Sequence, residues 1–133
     1  MQKYIVDTIA LAKYLEDSLP SKVNEIFVIA ERGDAQLLIP EIVLGELIYI
    51  LRKGRLDIPD ISITEKQILQ ELEIASTFDF ISMDFRAWKR FLELEIPELH
   101  DRMVAALFDK KNHVAILTND AEISNARIPC IWK

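Results

Sequence analysis

Four carboxylates stand where a carboxylate can do chemistry. Asp7 ends Tyr4-Ile5-Val6, a β-branched and aromatic run that reads as a buried strand. Asp120 comes shortly after a second such run, Val114-Ala115-Ile116-Leu117-Thr118. Glu46 lies in "PEIVLGELIYIL", where Ile42, Val43, Leu44, Leu47, Ile48 and Leu51 cover most of a helix surface. Asp101 follows Pro97-Glu98-Leu99-His100, in the first turn or so of a helix that continues into Met103-Val104-Ala105-Ala106. An apolar surround makes an ionised carboxylate costly by several kcal/mol, unless a salt bridge, a metal ion or protonation compensates it. Four acids facing one crevice would repel one another at neutral pH unless cations were bound. Donors that are all oxygen suit Mg²⁺ or Mn²⁺ better than zinc or copper.

Each acid also has a plain structural reading. Asp7 is placed to cap a helix beginning near Thr8, and Asp101 to complement a helix dipole. Asp120 can form an Asx turn with Asn119. Glu46 can sit on an exposed strip beside Tyr49 and Lys53. Taken singly, these readings are sufficient for all but Glu46; the combination is what points to a site.

The elements that must position the acids follow from periodicity. The pattern predicts strand Lys3–Val6, helices Ile9–Glu16 and Lys22–Arg32, strand Gln36–Ile39, and a helix from about Glu41 to Lys53 that stops at Gly54. A loop around Pro59 leads to helix Thr64–Ser76, strand Phe78–Ser82, helix Phe85–Leu94 and helix Pro97–Lys111, with His113 ending the last of these. Strand His113–Thr118, a short helical turn and strand Ile128–Ile131 complete the chain. Strands that alternate with helices imply an α/β fold, a parallel sheet covered on both faces. In a doubly wound sheet of order 3-2-1-4-5, strands 1 and 4 are neighbours and the strand order reverses between them. Ligands bind outside the carboxyl ends of the strands at that switch point, and Asp7 and Asp120 would flank it.

Composition narrows the class. A chain of 133 residues, half of them hydrophobic, fits a single domain (1–133) with its own core. The single cysteine, Cys130, cannot form an internal bridge, which suits a reducing, cytoplasmic setting. Neither export nor membrane insertion is expected, because no signal core is visible and Glu46 interrupts the longest apolar stretch. A net charge of −6 speaks against a simple electrostatic nucleic-acid binder, an objection that weakens if the acids hold divalent cations. No Gly-rich phosphate loop follows the first strand, and neither histidine has the partners of a nucleophilic triad. A haloacid-dehalogenase-type phosphatase would need an Asp where Ile9 stands. A response-regulator receiver would need an early acidic pair and a late lysine, and neither is convincingly placed.

The ordered set Tyr4-Ile5-Val6-Asp7-Thr8, Pro40…Glu46-Leu47, Leu99-His100-Asp101-Arg102 and Thr118-Asn119-Asp120 resembles a PIN domain, most closely the compact VapC-type toxin branch. The resemblance runs from the first strand to the last. It implies a three-layer α/β/α fold and a Mg²⁺- or Mn²⁺-dependent ribonuclease, with Asp7, Glu46, Asp101 and Asp120 as the acidic quartet. One or two ions would activate water for in-line attack on a phosphodiester. Asp7 and Asp120 would be central ligands, Asp101 would bind directly or through water, and Glu46 would ligate a second ion or orient the water. Thr8, Thr118 and Asn119 are auxiliary candidates. Glu122 departs from the family, many of whose members show Asp followed by an aromatic there; its reading is an auxiliary acid or solvated helix surface. The resemblance also implies a homodimer, to which the apolar helices Ile42–Leu51 and Lys22–Ala30 are suited, and a small antitoxin whose segment plugs the cleft.

A nuclease must also hold RNA. Arg102 adjoins Asp101 and has a planar donor fork for phosphate; Lys13 is a second candidate. Arg52 and Lys53 are expected at a helix C-terminus on structural grounds alone. His100 either orients a site residue or packs at the helix start. The competing function is a catalytically weak PIN-like module that uses metal only to dock RNA.

Overall fold

The structure, a computed structural model, describes residues 1–58 and 65–133. At its centre is strand β1 (Gln2–Val6), whose last three residues are buried. Strand β2 (Ala35–Pro40) and strand β4 (Ala115–Leu117) flank it, β3 (Phe78–Ile81) lies beyond β2, and β5 (Cys130–Ile131) lies beyond β4. All four pairings are parallel, and the order is the expected 3-2-1-4-5. Helices cover both faces in three layers. The near-continuous burial of Ile5, Val6, Leu37, Ile39, Ile116 and Leu117 is what a parallel strand covered on both sides requires.

The helices are α1 (Thr8–Leu15), α2 (Ser21–Glu31), α3 (Glu41–Arg52), α4 (Glu65–Ile74), α5 (Phe85–Glu93), α6 (Leu99–Leu107) and α7 (Ala121–Asn125). Two strand-to-helix junctions have almost no loop. Asp7 alone separates β1 from α1, and Pro40 is both the last residue of β2 and the N-terminal flank of α3. Asp7 is also tied to the sheet, because its N–H donates to the Leu117 carbonyl at 3.2 Å. The C-terminus of α3 closes as a Schellman motif: Gly54, at φ +65°, donates to Leu51 O, and Arg55 donates to Ile50 O. The expected stop at Gly54 is therefore met.

Several boundaries differ from the sequence reading. The helix expected over Pro97–Lys111 is shorter at both ends. Glu98 flanks its start, with its carboxylate accepting from Asp101 N at 2.7 Å, and Phe108 turns to extended backbone after Leu107. His113 consequently ends no helix. Residues 109–113 form a turn in which the Asp109 N–H donates to His113 Nδ1 at 2.9 Å and the His113 N–H donates to Asp109 O at 2.8 Å. Strand β4 then begins only at Ala115, and β5 only at Cys130. The loop around Pro59 and the expected start of a helix at Thr64 lie outside the described residues. Among the described residues, no helix is long and apolar enough to cross a membrane.

Tyr14, Phe27 and Phe78 form one aromatic group joining α1, α2 and β3, with Phe27 5.0 Å from Tyr14 and 6.2 Å from Phe78 between ring centroids. Phe27 is 1% exposed. Phe27→Ala is expected to cost about 3–5 kcal/mol of stability, measured by urea unfolding, because the cavity it leaves is walled by sheet and helices that cannot collapse into it.

Candidate active site

The C-terminal ends of β1 and β4 open into a crevice of about 280 Å³, lined by Asp7, Thr8, Glu46, Asp101, Asn119 and Asp120 among others. All four acids singled out in the sequence therefore meet, from four separate segments. Each is held by its own local structure.

Asp7 forms the floor. It is 6% exposed, and both of its oxygens are engaged: Oδ1 accepts from Thr8 N at 2.8 Å, and Oδ2 accepts from the buried Thr118 hydroxyl at 2.6 Å. The capping role and the site position coincide in one side chain. Burial pushes its carboxyl above the ordinary range, the Thr118 and Thr8 hydrogen bonds pull it down, and the charges of Glu46 and Asp120 push it up again.

Asp120 caps α7, its Oδ1 accepting from Ile123 N at 3.0 Å, while its own N–H donates to the Thr118 hydroxyl at 3.1 Å. Thr118 thus bridges the two acids across strands β1 and β4. In place of the expected Asx turn with Asn119, the Asp120 side chain makes this helix cap.

Asp101 stands in the first turn of α6, beside Asp120. Its carboxyl is raised to about 7, by burial first, then by the charge of Asp120 and a hydrogen bond with it, and then by Asp7 and Glu98. Two carboxyl groups placed this close disfavour each other's ionisation. The half-buried Cys130 thiol is pushed up to about 11, by burial first and then by the charges of Asp120 and Asp7.

Of the two sequence readings of Glu46, apolar enclosure and an exposed strip, the structure is nearer the second. Its side chain is 31% exposed, so the apolar residues of α3 do not enclose it. Val43 and Leu47 take the core face, and Glu46 projects beside them at the crevice edge. Its oxygens are divided between two partners: Oε1 accepts from the Thr8 hydroxyl at 2.8 Å, and Oε2 lies 3.1 Å from His100 Nδ1. A carboxylate can only accept, so that ring nitrogen carries the proton. His100, which sequence reasoning left between two readings, orients a site residue. Glu98, which went unremarked, caps α6 and comes within 3.8 Å of the same histidine nitrogen.

The remaining candidates divide. Thr8, Thr118 and Asn119 belong to the crevice. Glu122 lies outside it, in a separate cleft with Glu93, Glu95 and Asn125. Arg102 Nε donates to Phe91 O at 2.8 Å and its guanidinium stacks 4.4 Å from the Phe91 ring, so it fastens α6 to α5. Lys13 pairs with Glu16 at 3.4 Å.

The donor set is chemically suited to a hard divalent cation, since every candidate atom is a carboxylate or hydroxyl oxygen. The space between Asp101 and Asp120, where two carboxylates would repel each other, is the position a cation would take. Among the described residues, no three acidic, histidine or cysteine side chains already converge at ligand spacing, so binding requires the carboxylates to draw together.

Fold and crevice together define an α/β protein with an acidic centre at the switch point of its sheet. The chain belongs to the PIN domain family, whose model matches residues 4–129, and the proteins of this family are nucleases. No curated protein matches it significantly in sequence. Among solved structures, it is similar to a chain in the crystal structure of VapBC2 from Rickettsia felis bound to a DNA fragment from their promoter. The TM-score is 0.71 over 99% of this chain and 100% of that chain, at 19% identity, and that likeness is one of fold.

The raised Asp101 carboxyl has a pH signature. The folded chain holds this proton up to about pH 7, whereas the unfolded chain releases it near the ordinary value of 3.8. The stability associated with it is therefore complete below about pH 4 and is lost as pH rises to about 7. In chelator, Asp101→Asn is expected to melt higher than wild type. By thermal unfolding across pH, the gap should open between pH 4 and 7 and stay constant above; an equal gap at pH 4 and pH 8 would contradict the assignment.

Proposed function

We propose that this chain is a divalent-cation-dependent endoribonuclease, using Mg²⁺ or Mn²⁺ as one or two ions, and that it is the toxin of a toxin-antitoxin pair. The observation that carries the reading is the convergence of Asp7, Glu46, Asp101 and Asp120, from four separate segments, on one crevice at the sheet's switch point. Such an arrangement is costly for folding and serves a bound cation.

Asp7, Asp101 and Asp120 would hold the cation, with Glu46 at the edge of the set. When bound, the ion would lower the pKa of a water and neutralise charge on the phosphate. The chain's own residues do the rest. Thr118 fixes the Asp7 carboxylate and the Asp120 backbone relative to each other. Thr8 and His100 hold the two oxygens of Glu46, leaving remaining lone pairs to orient a water or take its proton. Asn119 lines the crevice and is placed to contact the strand. Of the expected RNA contacts, Lys13 is the freer, with 40% of its side chain exposed. Arg102 would reach phosphate only through the fork nitrogens not committed to Phe91.

The PIN family and the fold match to a VapBC2 complex support a small antitoxin partner, and the reading carries with it a homodimer, a cytoplasmic setting and a single domain over residues 1–133. The open spacing of the acids favours a second reading, a weakly catalytic module that docks RNA through metal.

Turnover of a labelled RNA with Mn²⁺ separates the two. Wild type is expected to cut it, and chelator to stop the reaction. Asp7→Asn should lower the rate by roughly 10²-fold or more, and His100→Ala by about 10-fold, since it acts only through Glu46. RNA binding without turnover by the wild type would establish the docking module instead.

A further inference from the structure

Gly45 is poorly explained by the helix that contains it. It lies in the interior of α3, where glycine is the worst helix former after proline. Its backbone has no positive φ, unlike Gly33 and Gly54, and a Cβ built on it would meet nothing within 4 Å. Neither conformation nor packing within the chain asks for glycine at this position. The open space beside it is a second pocket, of about 460 Å³, walled by Ile42, Tyr49, Ile50, Arg55 and His100. That volume lies in the range of small-ligand sites. Glu46 and Ile50 line both this pocket and the acidic crevice, so the two adjoin.

We propose that Gly45 keeps this pocket open for one unpaired base of the RNA strand whose phosphate lies in the acidic crevice. The proposal rests on the nuclease reading. Tyr49 is one turn beyond Gly45 on the same ridge of α3 and is 55% exposed, which makes it a stacking platform at the pocket wall. Absence of a side chain at Gly45 lets a flat ring approach the helix backbone beside that platform. Lys53 Nζ lies 5.4 Å from the Tyr49 centroid, and the Schellman turn at Gly54 brings Arg55 back against Ile50. Among the described residues, the ion pairs engage Lys13, Arg52 and His100 and leave Lys53 and Arg55 without a carboxylate. In a chain of net charge −6, these cations at the edge of an acidic crevice match a phosphate backbone. An aliphatic side chain from a protein partner would suit Ile42 and Ile50 but would leave Lys53 and Arg55 without an anion.

The test uses the full chain and single-stranded RNA carrying one abasic nucleotide, moved position by position. Affinity is read by fluorescence anisotropy with Mn²⁺ in an Asp7→Asn background, so that turnover is blocked. One abasic position is expected to weaken binding by roughly 5- to 150-fold, the range of a single base–aromatic stack. Tyr49→Ala should reproduce that loss on intact RNA, and Tyr49→Phe should not. Gly45→Leu fills the pocket yet favours the helix; it should melt a few degrees higher than its parent, bind intact RNA about 10-fold more weakly, and be insensitive to the abasic position. Intact affinity in both Gly45→Leu and Tyr49→Ala would overturn the proposal, as would the absence of any position-specific loss. A change of oligomeric state in Gly45→Leu by sedimentation, with RNA affinity unchanged, would assign the pocket to a second copy and equally overturn it. Failure of wild-type cleavage with the abasic effect intact would remove the nuclease reading and leave the base pocket standing.

Discussion

Like charges brought together where a parallel sheet reverses its strand order are the constraint on which this structure turns. Asp7, Asp101 and Asp120 sit at one place because β1 ends, α6 begins and β4 passes into α7 there, not because the carboxylates attract one another. Burial first, and their mutual repulsion after it, raise the Asp7 and Asp101 carboxyls, and the same two effects reach the Cys130 thiol. The scaffold resists that repulsion with a buried sheet and the helices packed on it, so most of the energy that positions the acids comes from apolar burial away from them. This division of labour lets a site that destabilises the fold persist within it.

A small number of hydroxyl and imidazole contacts convert that crowding into geometry. Thr118, 1% exposed, links Asp7 to the backbone of Asp120, and Thr8 and His100 divide the oxygens of Glu46 between them. Three of the acids are also anchored by helix termini: Asp7 and Asp120 through caps, Asp101 through its place in the first turn of α6. Structural and functional readings of these residues therefore do not compete. A cap holds a carboxylate still, and a carboxylate held still is what a metal or a water needs.

Much of the arrangement was legible in the sequence. Alternation of β-branched runs with helical periods specified a parallel sheet, and a 3-2-1-4-5 order sets strands 1 and 4 side by side with Asp7 and Asp120 at their ends. The early end of α6 was not legible, because Asp109, Lys110 and Lys111 continue a helical pattern that Phe108 leaves for extended backbone. Pro97 suggested a first helical residue, whereas Glu98 supplies the cap through a long side chain that rarely serves there. The His100–Glu46 contact joins residues 54 apart in sequence, and no local pattern encodes such a pairing. Glu46 looked enclosed on a helical projection of α3; its exposure depends on which neighbours α1 and α6 leave uncovered.

The most direct measurement is calorimetric titration of Mn²⁺ into the purified wild-type chain and into Asp120→Asn. If the acidic crevice is one cation centre, the wild type shows saturable binding and Asp120→Asn loses it, while both retain the same fold by circular dichroism. Absence of saturable binding in the wild type, or equal binding in the two, would contradict the account.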